Sequence, residues 1–156
     1  MPHSNKTFQN MIATYNETGS VVIGTDLVPM EKTKDFGVLQ FVPTEKEKVV
    51  SVQGFVEKPK FNPPSNLINN GYAVLPPQFW SYLENASGTV GDGEIRVADA
   101  YIKMLEDGQK LYAVQPTVPG YDCGNQLGFL KATVDFALQR EDLRAEFLEF
   151  LRGVVK

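Results

Sequence analysis

With 156 residues, 42% apolar and 22% charged, the chain is long enough for one ordinary domain with a sizeable core. A net charge of −4 and scattered Lys and Arg leave no electrostatic footprint for nucleic acid, and no apolar run reaches the length of a membrane span. The one cysteine, Cys123, excludes an internal disulfide framework and, with the one histidine, a structural zinc site; it fits a reducing, cytoplasmic setting.

Met1–Lys6 is polar and is expected to be a disordered tail, leaving residues 7–156 as a single domain. From Thr7 to Thr18, Phe8, Met11, Ile12 and Tyr15 recur at helical spacing, and Gly19 supplies the stop. Ser20–Val28 reads as a strand buried on both faces, because Val21, Val22 and Ile23 are consecutive. Phe36–Val42 and Val49–Val56 are two further strands. Only a short charged link, Thr44–Lys48, separates them, so they form a hairpin in a mixed sheet. The turn-rich Asn62–Asn66 leads to a strand at Leu67–Leu75 that contains Gly71. A glycine there marks either close backbone approach or a bulge.

Pro76-Pro77 ends that strand before a helix at Gln78–Asn85, whose Phe79, Trp80 and Leu83 are expected in the core. Asp92 is a candidate cap for a helix at Glu94–Glu106, on which Ile95, Ala98, Ile102 and Leu105 form one stripe. A strand at Lys110–Gln115 precedes a loop carrying Tyr121, Asp122 and Asn125. Helices at Gln126–Gln139 and Glu141–Val154 follow, the second with Phe147, Phe150, Leu151 and Val154 on one face. Cys123 is expected to be a buried, inert thiol, and Asp99 a surface or capping residue. The aromatic set Phe79, Trp80, Phe129 and Phe136 reads as core or interface.

The most informative stretch is Gly54–Lys60. The strand delivers Glu57 and Lys58 to its carboxyl end and stops at Pro59, which lacks the N–H a ladder needs. Ligands of α/β sheets sit at such strand ends, and an acid beside a base suits a ligand with hydroxyls and phosphates. The same two residues also read as a solvated pair before a proline turn.

Four ordered segments turn these readings into a resemblance. They are Phe36-Gly37-Val38; Phe55–Lys60 with Pro64-Ser65-Asn66-Leu67; Gly93-Glu94-Ile95 with Asp99-Ala100; and Tyr121–Asn125 with Leu127-Gly128. Together, from about Phe8 to about Leu151, the chain resembles the C-terminal half of a bacterial UTP–glucose-1-phosphate uridylyltransferase, a sugar nucleotidyltransferase. The resemblance implies a three-layer α/β/α, Rossmann-like mixed sheet, incomplete because the N-terminal nucleotide-binding half is missing. It implies glucose 1-phosphate and UDP-glucose as ligands and Mg²⁺ as cofactor. Lys58 would hold the sugar phosphate and act in catalysis, Glu57 would accept bonds from glucose hydroxyls, and Gly37 would offer backbone to a hydroxyl. Gly71 would line the pocket, Glu94 would contact the sugar, and Asp122 would be one of two metal-binding aspartates.

The departures shape the functional expectation. The Gly-x-Gly-Thr-Arg type of loop that wraps the triphosphate has no counterpart, nor has the second metal-binding aspartate. Tyr72-Ala73 and Arg96-Val97-Ala98 also differ from the family's usual residues. The isolated chain is therefore expected to be inactive, acting with a complementary N-terminal half or as a homo-oligomer. The alternative is a non-catalytic module that binds a sugar phosphate or nucleotide sugar, or that serves oligomerisation.

Overall fold

The computed structural model describes residues 5–88, 94–117 and 120–155. They fall into two compact units, one within residues 3–119 and the other within 120–156. In the first, α1 (Asn5–Thr18) ends where Gly19, at φ +62°, donates its N–H to the Tyr15 carbonyl at 2.7 Å. Of the expected tail, residues 1–4 lie outside the described residues.

Five strands make one mixed sheet in the order β4–β1–β5–β3–β2. They are β1 (Val21–Leu27), β2 (Gly37–Pro43), β3 (Val49–Glu57), β4 (Leu67–Val74) and β5 (Leu111–Val114). β1 runs parallel to β5 and antiparallel to β4, while β2 and β3 form the expected hairpin. A single rung, Val38 with Ile68, brings β2 beside β4. One rung curls the sheet and is too little to make it a barrel.

The alternation of β1 divides the core between two faces. Val22 packs with Met11, Val49 and Val114, beneath α1. Val21 and Ile23 belong to the larger cluster with Leu39, Phe55, Phe79 and Tyr101, covered by α2 (Phe79–Glu84) and α3 (Val97–Glu106). Helix, sheet and helix give the three layers. Each apolar side chain sealed there contributes about 1.5–3 kcal/mol. Tyr101 sits between the rings of Phe55 and Phe79, at 5.8 and 5.7 Å, and burial pushes its phenol well above the usual tyrosine range.

Two expectations shift in this unit. α3 starts at Val97 rather than Glu94, because the buried Asp99 carboxylate accepts the Arg96 backbone N–H at 2.7 Å and fixes the first turn there. The expected cap Asp92 lies outside the described residues. The apolar stripe moves with the start: Ala98, Tyr101 and Met104 are buried, Ile102 and Leu105 are half-buried, and Ile95 is exposed ahead of the helix. Trp80 is not core. Adjacent helical residues point about 100° apart, so Phe79 is fully buried while Trp80 is 56% exposed.

The second unit is a helical pair, α4 (Gln126–Gln139) and α5 (Glu141–Val154), with the expected bounds. Asn125 caps α4 by accepting the Gly128 N–H at 2.8 Å. Phe129 and Phe136 on α4 are exposed, so neither is core. On α5 the rings of Phe147 and Phe150 stack at 6.2 Å, Phe147 half-buried and Phe150 exposed. Among the described residues, no helix is long and apolar enough to cross a membrane.

Candidate functional site

The hairpin register sets the first part of the site. Gly37 opens β2 and Glu57 closes β3, and the two are cross-strand partners. Phe55 and Glu57, two residues apart, share a face. A Cβ built on Gly37 would lie 2.4 Å from the Phe55 ring and 2.8 Å from the Glu57 carboxylate. The room a side chain would need is thus filled by Phe55 and Glu57, and any larger residue at 37 must displace them. Glu57 is left half-buried, its carboxylate over the start of β2.

Lys58 follows in a left-handed backbone, φ +46°, and donates its N–H to the Phe36 carbonyl at 3.0 Å. That conformation is uncommon for a residue with a side chain and costs on the order of 1 kcal/mol. It ends the strand sharply, exposes the Lys58 side chain and buries Pro59. Among the described residues, no carboxylate pairs with Lys58 and no base pairs with Glu57. An acceptor and a cation therefore stand next to each other at a strand end, neither neutralised.

The Val38–Ile68 rung sets β4 beside this hairpin end, with Gly71 three residues further along β4. Gly71 has φ +87° and nothing within 4 Å of a built Cβ, so its backbone, not crowding, demands glycine. Of the two alternatives left by the sequence, the bulge is present: β1 and β4 lose register between Ile23 and Thr25, opposite Gly71. The connection before β4 is fastened by Ser65, whose hydroxyl donates to the Leu39 carbonyl at 2.6 Å and accepts the Leu67 N–H at 3.0 Å. Glu94 is exposed three residues ahead of α3 and pairs with Arg96. It does not stand in the first helical turn.

Asp122 belongs to the second unit. Its carboxylate accepts the Gly124 N–H at 3.0 Å and the Asn125 side-chain amide at 2.9 Å, so it shapes the turn that caps α4. One bond to each oxygen leaves lone pairs for a hard cation, and Mg²⁺ commonly takes only one or two carboxylates. Asp122 fits as one such ligand. Among the described residues, no group of three or more His, Cys, Asp or Glu gathers to hold a metal. The neighbouring Cys123 is exposed, contrary to expectation, because this turn lies on the surface. Tyr121 is raised above the ordinary phenol value by its hydrogen bond to Asp135, and its ring meets Phe136 edge-on at 6.4 Å.

Sequence reasoning named Phe36 and Phe55 only as members of the resembling segments, without their packing around Gly37 and Lys58, and passed over Asn69 and Asn70 beside Gly71. The Asn-Asn-Gly run within a strand was the available signal for the bulge.

A mixed sheet between helical layers, with an unpaired acid and base at a strand end, defines a Rossmann-like α/β protein. The model of the Nucleotidyl transferase family matches residues 3–139, and the chain belongs to that family. Over 148 residues it is 35% identical to a UTP–glucose-1-phosphate uridylyltransferase of Bacillus subtilis, covering 94% of this chain and 50% of that protein. Over 150 residues it is 37% identical to UTP–glucose-1-phosphate uridylyltransferase 2 of Staphylococcus saprophyticus, covering 95% and 50%. The UTP-bound UGPase structure from Acinetobacter baumannii superposes with a TM-score of 0.81 at 31% identity, covering 96% of this chain and 50% of that one. The chain thus spans about half the length of the uridylyltransferases it matches and corresponds to part of such an enzyme.

Proposed function

We propose that residues 7–156 form one domain, the sugar-phosphate-binding C-terminal half of an enzyme that makes UDP-glucose and pyrophosphate from UTP and glucose 1-phosphate. The observation that supports this most is the unpaired Glu57 and Lys58 at the end of β3, in a chain whose relatives are uridylyltransferases. Glu57 accepts hydrogen bonds from glucose hydroxyls and the Gly37 backbone supplies a further contact. Gly71 lines the pocket, and Glu94 reaches the sugar once released from Arg96.

The reaction joins a phosphate oxygen of glucose 1-phosphate to the α-phosphorus of UTP and breaks the bond to the pyrophosphate oxygen. Both substrates are anions that repel each other. Lys58 holds the sugar phosphate as a point charge and offsets charge as the oxygen attacks. A charge-assisted bond of this kind contributes about 1.5–3 kcal/mol. Asp122 supplies one carboxylate toward Mg²⁺, which when bound draws charge from phosphate oxygens.

Residues 1–156 hold no Gly-x-Gly-Thr-Arg loop for the triphosphate, so tested by themselves they need a nucleotide-binding partner, whether that half is joined to them, is a complementary chain or belongs to another copy in a cytoplasmic homo-oligomer. The same observation favours a second reading, a module that binds the sugar phosphate without chemistry. A pyrophosphate-release assay with UTP, glucose 1-phosphate and Mg²⁺ tests the proposal. The chain alone gives no turnover, and adding the nucleotide-binding half of a relative restores it. Robust turnover by the chain alone refutes the need for a partner, and silence with the added half leaves only the non-catalytic module.

A further inference from the structure

Asn70-Gly71 is the one Asn-Gly pair in the chain. Glycine after asparagine leaves the following backbone nitrogen unhindered, so the pair is chemically disposed to close a five-membered imide. At this bulge the polar atoms of that reaction are all hydrogen-bonded. The Asn70 amide donates to the Thr25 carbonyl at 3.3 Å, and its oxygen accepts the Tyr72 N–H at 3.1 Å. The nitrogen that would attack, that of Gly71, donates instead to the Asn69 side chain at 3.0 Å. Gly24 on β1 makes the arrangement possible, since a Cβ there would come within 2.8 Å of the Asn70 oxygen.

We propose that Asn70 is the chain's site of spontaneous deamidation and that the β1–β4 bulge restrains it, so that conversion proceeds through local opening of β4. In the open form the Gly71 nitrogen, losing its proton, bonds to the Asn70 side-chain carbon. The carbon–Nδ2 bond breaks and ammonia leaves with that proton. Water then opens the imide at either carbonyl, giving aspartate or isoaspartate. Either product disturbs the bulge. Aspartate has no N–H for the Thr25 carbonyl and sets a carboxylate against it, while isoaspartate lengthens the main chain by one atom and shifts the β4 register. A reaction that needs opening is slowed by the free energy of opening, which for a bulge tied to its neighbour on one side is less than that of global unfolding.

The inference does not depend on what the pocket binds. Peptide mapping by mass spectrometry, on the intact chain held at mildly alkaline pH with and without urea, tests it. In urea Asn70 is expected to convert before any other asparagine, and in the folded chain at least about tenfold more slowly. Two variants, each confirmed folded by circular dichroism, sharpen the result. Asn69→Ala frees the Gly71 nitrogen and Gly24→Ala displaces the Asn70 amide, so both should quicken conversion in the folded state. Equal rates at Asn70 with and without urea, earlier conversion elsewhere in urea, or folded variants no faster than the parent would overturn the proposal.

Discussion

Lys58 occupies a left-handed backbone that glycine would adopt without strain. Backbone and side chain can therefore be separated by substitution. Lys58→Gly is expected to raise stability by on the order of 0.5 kcal/mol, the relief of left-handed strain less the entropy glycine loses on folding. It should still abolish sugar-phosphate binding. Lys58→Ala keeps the strain and loses the same binding, so urea melts and calorimetry on the two variants distinguish a functional lysine from a turn residue. Tyr101 makes a second residue-scale prediction. Its folded pKa lies above the ordinary 10.0 because burial disfavours the phenolate. The stability this represents is fully present below that value and is lost as pH climbs past it. Tyr101→Phe should flatten the alkaline fall in the urea midpoint, and an unchanged alkaline limb would speak against burial as the cause. At this scale the sequence was a partial guide. Glu57 and Lys58 stood out as a charge pair after a β-branched run, but the Phe55 ring that crowds Gly37 comes from another strand. No local pattern reports such a contact.

At the scale of elements, the strands were legible because Val, Ile and Phe runs bounded by Gly and Pro have few other readings. The helix starts were less so. Arg96 is an unusual cap, and Glu94-Ile95-Arg96 continues a helical pattern that the Asp99 carboxylate cuts short. Asp99→Ala should cost about 1–2 kcal/mol in thermal or chemical melts, since it removes a carboxylate that satisfies the first turn. No loss would mean that the start of α3 is fixed by packing alone. In the hairpin, Gly37→Ala forces the Phe55 ring to move and should cost about 1–3 kcal/mol. A neutral effect on the melting midpoint would show that the ring yields freely. The turn at Asp122 was readable as a turn and, through the resemblance, as a metal ligand. Its bonds to Gly124 and Asn125 belong to the first of these roles and leave room for the second.

At the scale of the whole molecule, the chain is a nucleotidyl transferase family member that spans about half of the uridylyltransferases it matches. The order of four short segments carried that recognition, where each alone was weak, because only a shared fold keeps such segments in sequence. If copies of this chain complete one another, light scattering across a concentration series should show a mass that rises above the monomer, and a monomer throughout would favour a separate complementary half. The central claim, that Glu57 and Lys58 form a sugar-phosphate site, is tested most directly by titrating glucose 1-phosphate into the chain and into Lys58→Ala by calorimetry. The account predicts saturable heat for the parent chain and none for the variant. No heat for either, or equal affinity for both, would contradict it.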